Sequence, residues 1–290
     1  MEKILQAIGD PTKELEVVSN YEQFKSHPDP KQFAVIKIGG GLVDDSYQRR
    51  LIAQDLAVLH QVGLYPTVVH GAGPQLDRQF EELEIETPKV SGIRKTPKTA
   101  QGTLVNTVMD VGVGLKNEIW AWGGAAKYIL PHDGVLEASL SDTDNIASVE
   151  DVDVYTGPIN SAVNSKLIPL LGSVGLLATP WRFRTGEFRA VNINADKAAG
   201  AIAVKLCTQK YISLTETGGV LNTDGELISE LSTVEATEKI MSGEIYGGMV
   251  PKVMEALWLI AQGIGSVAIT SPKNLLIELF TDAGQGTLIT

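Results

Sequence analysis

Five short patches of this chain carry, between them, glycine-rich turns, two lysines, an arginine, an asparagine and an aspartate. The patches are Lys37-Ile38-Gly39-Gly40-Gly41, His70-Gly71-Ala72-Gly73-Pro74, Gly92-Ile93-Arg94, Asn192-Ile193-Asn194-Ala195-Asp196 and Gly247-Gly248-Met249-Val250-Pro251-Lys252. Bare glycine backbone lets N–H groups approach an anion closely, and a neighbouring lysine neutralises it. An arginine fork holds a carboxylate through two parallel hydrogen bonds. This assortment suits moving a phosphoryl group onto an acid. Such a transfer needs positioning and charge neutralisation more than covalent chemistry, and a carboxylate acceptor is a nucleophile at neutral pH without a base.

Each patch also has a plainer explanation. Lys37 could be a strand-end lysine reaching solvent; the glycines after it favour an anion site, although no Gly-Lys-Ser/Thr follows at P-loop spacing. His70 to Pro74 is either a tight turn or a loop opening a helix whose N-terminus attracts carboxylate or phosphate. It lacks the third glycine of a dinucleotide fingerprint. Arg94, near Lys89, Lys95 and Lys98, is either part of a solvated basic loop or a carboxylate clamp. Asn192 and Asp196 flank a helix start, where Asn194 is equally placed to cap. Lys252 sits one turn into a helix, where a cation is disfavoured, which calls for an anionic partner.

The elements that must position these groups follow from hydrophobic spacing. Phe33 to Ile38 reads as a buried strand, Gln48 to Val62 as an amphipathic helix and Tyr65 to Val69 as a second strand. Strand, glycine loop and helix, twice over, is the rhythm of a parallel sheet, with both glycine loops at the carboxyl ends of the strands. Thr99 to Trp122 is mostly helical, and Tyr128 to Ala178 is β-rich. Ala195 to Leu206, Thr233 to Met241 and Val250 to Ile264 read as helices, and Tyr211 to Thr215 as a strand. Val220 to Ile228 reads as a hairpin turning at Asp224-Gly225. Val267 to Ile269 and Leu275 to Phe280 are expected to close the sheet. Residues 1–30 form an N-terminal extension, with a short helix from Lys13 to Phe24 that ends before His27-Pro28-Asp29-Pro30.

Composition narrows the classes. At 290 residues, one large α/β domain or two lobes are expected. A net charge of −11 argues against bulk binding to nucleic acid or anionic membrane, so an anionic ligand must be drawn by local cations. Cys207 is the single cysteine, which fits a reducing cytoplasm. The four histidines have no ligand spacing, and no apolar run of about 18 residues occurs.

Taken in order, the five patches resemble the amino acid kinase family, over residues 31–290 and including Glu278-Leu279-Phe280-Thr281-Asp282 and Gly286-Thr287-Leu288-Ile289. Within it, the likeness points to the branch that phosphorylates N-acetylglutamate. Ile4-Leu5 and Tyr21 to Phe24 look like the extension of its synthase/kinase type, in which an acetyltransferase domain follows. The resemblance implies a three-layer αβα sandwich with a mostly parallel central sheet. Residues 31–190 would hold the acid and 191–290 the nucleotide. The implied reaction moves the γ-phosphoryl of ATP, carried with Mg2+, to the γ-carboxylate of N-acetyl-L-glutamate in arginine biosynthesis. Lys37, Asp196 and Lys252 match the catalytic residues. Gly71, Ala72, Gly73, Arg94 and Asn192 match the acid site. Gly39, Gly40, Thr215, Glu216, Gly248 and Met249 match the nucleotide site, together with the two lysines. No protein metal ligands are implied. A homo-oligomer and L-arginine as feedback inhibitor follow from the same likeness. The chain departs from the family's pattern at Glu216, usually Asp, at Thr217-Gly218-Gly219 and at Ala72, usually Gly. A non-catalytic arginine-sensing domain, or a kinase of an N-blocked aminoadipate, would share most of these motifs.

Overall fold

In the computed structural model, which describes residues 1–90, 93–94, 96–140, 149–178, 189–282 and 284–290, the apolar strands assemble into one central sheet. Helices α1 (Glu2–Ile8) and α2 (Glu14–Ser26) precede β1 (Ala34–Ile38), which leads into α3 (Gly40–Asp44) and α4 (Ser46–Gln61). Then come β2 (Thr67–His70), α5 (Gly73–Glu82), a small ribbon of β3 (Lys89–Val90) and β4 (Ile93–Arg94), and the long α6 (Gln101–Ala121). Strands β5 (Ala126–Ile129), β6 (Leu136–Leu140) and β7 (Val149–Val154) are followed by α7 (Gly157–Asn164), β8 (Ile168–Gly172), β9 (Val174–Leu177) and β10 (Ala190–Asn192). The remainder is α8 (Ala195–Leu206), β11 (Lys210–Leu214), β12 (Glu230–Leu231), α9 (Thr233–Met241), α10 (Val250–Ala261), β13 (Val267–Thr270), α11 (Leu275–Phe280) and β14 (Thr287–Ile289).

The central sheet has eight strands in the order β12-β14-β13-β11-β1-β2-β8-β5. Every pairing is parallel except β13 with β14. All five residues of β1 are buried, as a strand covered by helices on both faces requires. Register places Ile38 opposite both His70 and Leu214, and His70 opposite Gly172. The chain leaves β1 toward β2 on one side, while β11 lies on the other. β1 is therefore the switch point of the sheet, where a crevice opens beyond the strand ends. A second sheet, ordered β10-β9-β6-β7, sets Asn192 opposite Val174 and so brings a distant segment to the same edge.

Local chemistry explains the helix starts. Asn194 caps α8 by accepting from the Asp196 N–H at 2.8 Å, as its position in the sequence suggests. Asp45 caps α4 by accepting from the N–H groups of Tyr47 and Gln48. A 3-10 turn over Gly247–Met249 feeds α10, with Pro251 in its first turn.

One expectation needs correction. Leu275 to Phe280 is a helix, not a strand: Leu275, Leu276, Leu279 and Phe280 are all buried at helical spacing. The closing strand is Thr287–Ile289, antiparallel to β13. The segment Val220 to Ile228 folds back on itself as a short hairpin turning at Asp224-Gly225, as expected, with Leu221 bridged antiparallel to Leu227 and the Asn222 side chain accepting from the N–H groups of Asp224 and Glu226. The N-terminal extension is docked. Ile4, Val17 and Phe24 are buried, and Phe24, Phe33 and Phe280 form an aromatic cluster.

Candidate active site

Lys37 points from the carboxyl end of β1 into the crevice and is only 3 % exposed. Burying an ammonium is tolerable only with a partner. The partner is Asp196, whose Oδ1 lies 2.6 Å from Lys37 Nζ. Asp196 is held in the first turn of α8 by the Asn194 cap. Lys252 enters from the first turn of α10. Its ammonium is held below the ordinary lysine range, by burial first and by the like charge of Lys37 next, while Asp196 and Glu216 act in the opposite sense. Both lysines line the same two cavities.

The first cavity, of about 280 Å³, lies over β1, β2 and β8. It is lined by Gly40, Gly71, Ala72, Gly73, Arg94 and Asn192, among others. The two glycine loops abut: a Cβ on Gly40 would stand 2.7 Å from the Gly73 N and 3.2 Å from the Ala72 N. Contact this close is what leaves a floor of backbone N–H groups. The Ala72 methyl is buried in a small apolar cluster with Leu76 and Phe80, which accommodates this departure from glycine. Beneath the loop, His70 is fully buried and pushed down to about 4 by that burial, so it is neutral. Its Nδ1–H donates to the Gly71 carbonyl at 3.2 Å.

Arg94 is not a solvated loop residue. It is 6 % exposed and lines this cavity. Its Nη1 donates to Thr87 Oγ1 at 2.7 Å, and its Nη2 bonds Asp77 and the Gly73 carbonyl. The guanidinium lies 5.3 Å from the centre of the Phe80 ring. Gly92 and Lys95 lie outside the described residues.

The second cavity, of about 540 Å³, lies on the β11 side. It is lined by Gly39, Thr215, Glu216, Gly248 and Met249 with both lysines. Thr215 continues the ladder by donating its N–H to the Thr270 carbonyl at 2.8 Å. Glu216, longer than the expected Asp, reaches toward Gly41, where an added Cβ would stand 2.1 Å from its Oε1. Glycine at 41 therefore leaves room for the longer acid. Gly218 and Gly219 have φ of 76° and 155°, conformations that a side chain would strain.

Several neighbours of the site carry no sequence signal. Leu221, Asn222 and Tyr246 line the larger cavity, and Ser173 the smaller. Glu255, one turn beyond Lys252, is pushed up to about 7 by burial and by Asp196. The buried Tyr211 hydroxyl is raised by burial first, then by Asp196 and Glu255. Leu221, Asn222, Tyr246 and Ser173 lie in connections that only tertiary folding brings to the crevice, whereas Glu255 lines a separate cavity with Lys197 and Trp258.

Two ligand cavities joined at a pair of lysines, at the switch point of a parallel sheet, define a group-transfer enzyme that passes an anionic group from one bound molecule to another. The chain belongs to the amino acid kinase family, whose model matches residues 32–271. Among curated proteins it is 33 % identical to the acetylglutamate kinase of Methylobacterium nodulans, over 89 % of this chain and 88 % of that protein. It is 34 % identical to that of Cereibacter sphaeroides, over 88 % and 86 %. Among solved structures, a Streptococcus mutans protein superposes with a TM-score of 0.73 at 29 % identity, covering 89 % of this chain and 98 % of that one. The N-acetylglutamate synthase of Neisseria gonorrhoeae shares the fold, with a TM-score of 0.77 at 21 % identity, over 96 % of this chain and 63 % of that one.

Proposed function

We propose that this chain is an acetylglutamate kinase, transferring the γ-phosphoryl of MgATP to the γ-carboxylate of N-acetyl-L-glutamate. The observation that carries this is the shared wall of the two cavities: Lys37, Gly39 and Lys252 line both, with Asp196 paired to Lys37. A phosphoryl group passing from the larger cavity to the smaller must cross between the lysines. Lys37 neutralises the transferring group and Lys252 the leaving diphosphate. Asp196 holds the two ammonium groups at their spacing despite their mutual repulsion. Gly39, Gly40 and Gly73 supply N–H donors to the equatorial oxygens and the acceptor, while Gly71, whose own N–H donates to the Ile38 carbonyl at 3.0 Å, lets the acid approach its backbone closely. Arg94 and Asn192 grip the head of the acid. Thr215, Glu216, Gly248 and Met249 bound the nucleotide, with Mg2+ carried on its phosphates. In this assignment residues 31–190 form the acid lobe and 191–290 the nucleotide lobe.

Three further points belong to this proposal. The assembly is a homo-oligomer, supported by β5 standing at the edge of the sheet among the described residues and by Trp120 and Trp122, which are 76 % and 46 % exposed at the end of α6. L-arginine is an inhibitor, supported by a Neisseria synthase of the same fold solved with L-arginine, at a TM-score of 0.70 and 20 % identity. The enzyme works in the cytoplasm, supported by its single cysteine; no described helix is long and apolar enough to cross a membrane.

The test is turnover with MgATP and a panel of N-acetylglutamate, N-acetylaminoadipate and free glutamate, trapping the acyl phosphate as a hydroxamate. N-acetylglutamate should be the best acceptor. Tight ATP binding without hydroxamate from any acid would replace the proposal with a regulatory role.

A further inference from the structure

Ser173 follows the last residue of β8 and is 5 % exposed. Its backbone is fully used: the N–H donates to the His70 carbonyl at 3.1 Å, and the carbonyl accepts from the Ile193 N–H at 2.9 Å. These two bonds stitch the His70-Gly71 loop to the Asn192-Ile193-Asn194 segment through this one residue. Ser173 nevertheless lines the 280 Å³ cavity, so the group it offers there is its hydroxyl. Among the described residues that hydroxyl has no protein partner.

Position in the sheet says which end of an acid it would meet. The phosphoryl-handling lysine and the first glycine loop stand at the end of β1. Ser173 stands at the end of β8, two strands away, with β2 between. Two interstrand steps are about 10 Å. An acid whose reacting carboxylate lies over β1 therefore stretches across β2 and leaves its far head over β8, beside Asn192. That head needs donors for a carboxylate. Arg94 enters the cavity already bonded to Thr87, Asp77 and the Gly73 carbonyl, so it cannot turn its whole fork to a ligand without breaking those bonds.

We propose that Ser173 is a substrate-contacting residue whose hydroxyl donates to the α-carboxylate of the acid, so that it helps select an N-blocked α-amino acid over an ω-acid lacking that carboxylate. This rests on the function proposed above. A hydroxyl on a locked backbone is set at one distance from the strand ends, which makes it a ruler for the head group as well as a donor.

The experiment compares native protein and Ser173→Ala by calorimetry, with a non-hydrolysable ATP analogue and Mg2+ present. The two ligands are N-acetylglutamate and 4-acetamidobutanoate, the same chain without its α-carboxylate. Ser173→Ala should weaken N-acetylglutamate about tenfold, which is about 1.4 kcal/mol, and change 4-acetamidobutanoate by less than about twofold. Affinity for the ATP analogue should stay within about twofold. Ser173→Cys, of similar size but a poorer donor, should fall between native and Ala. Equal losses for both acids, or none for either, overturn the assignment while leaving the kinase function standing. If the native protein phosphorylates neither acid in the hydroxamate assay, the functional reading falls, and the assignment with it.

Discussion

Lys37 and Lys252 face one crevice from opposite halves of the chain, and each touches both cavities. Groups placed so stabilise charge that grows as the phosphoryl group moves, and their loss registers in kcat more than in KM. Lys37→Ala and Lys252→Ala should each lower kcat by about 10²–10³, the usual effect of removing one such donor. Asp196→Asn should do likewise, and it should also lower the melting temperature, because it leaves a buried ammonium without its 2.6 Å partner. Steady-state kinetics with both substrates decides the matter. Rises in KM at unchanged kcat would mean that the lysines only bind ligand and do not act on the transferring group.

The elements hold these residues through glycine contacts that leave little slack. The loop after β1 meets the loop after β2 at Gly40, 2.7 Å from backbone on the far side once a Cβ is added. Backbone cannot swing aside as a side chain would. Gly40→Ala should therefore spread the two loops and lower kcat/KM for the acid by at least about tenfold, since small misplacements of reacting groups are expensive in rate. Far-ultraviolet circular dichroism should be unchanged. Activity equal to native would show that the loops are looser than their contact implies. Glu278 does similar work beyond β13: its Oε1 accepts from Thr270 Oγ1 and from the N–H groups of Gln285 and Gly286. Thr287, next in the chain, holds both ends of the 220–228 loop through Val220 and Ile228. That loop walls the larger cavity.

At the scale of the whole molecule, burial of ionisable groups couples stability to pH. His70 titrates at about 4 in the folded protein against 6.5 when free. Between those values the unfolded chain binds the extra proton, so stability falls as pH falls. The contribution is fully present above 6.5 and gone below 4, and the interval corresponds to about 3 kcal/mol. Denaturant unfolding from pH 7 to pH 4 should show the native protein losing about that much more than His70→Gln, which has no such titration. Parallel curves for the two would place a proton on His70 in the folded state.

Much of this was legible in the sequence because it rests on local rules. Apolar runs gave β1, β2, β11 and β13; glycine after a strand marked the loops; Asn194 was readable as a cap because capping acts over two or three residues. The six-residue run Leu275 to Phe280 defeated the same rules, since a short apolar segment does not carry enough turns to separate helix from strand. The types of the site residues were fixed by chemistry that any phosphoryl transfer demands. Their convergence was decided only by tertiary structure: sheet order sets β11 beside β1, and the small sheet returns Asn192 to the β8 edge. Sequence spacing also could not show that Arg94 is tied down by Asp77 and Thr87, nor that Ser173 faces the crevice, because those facts depend on which faces meet once distant elements pack.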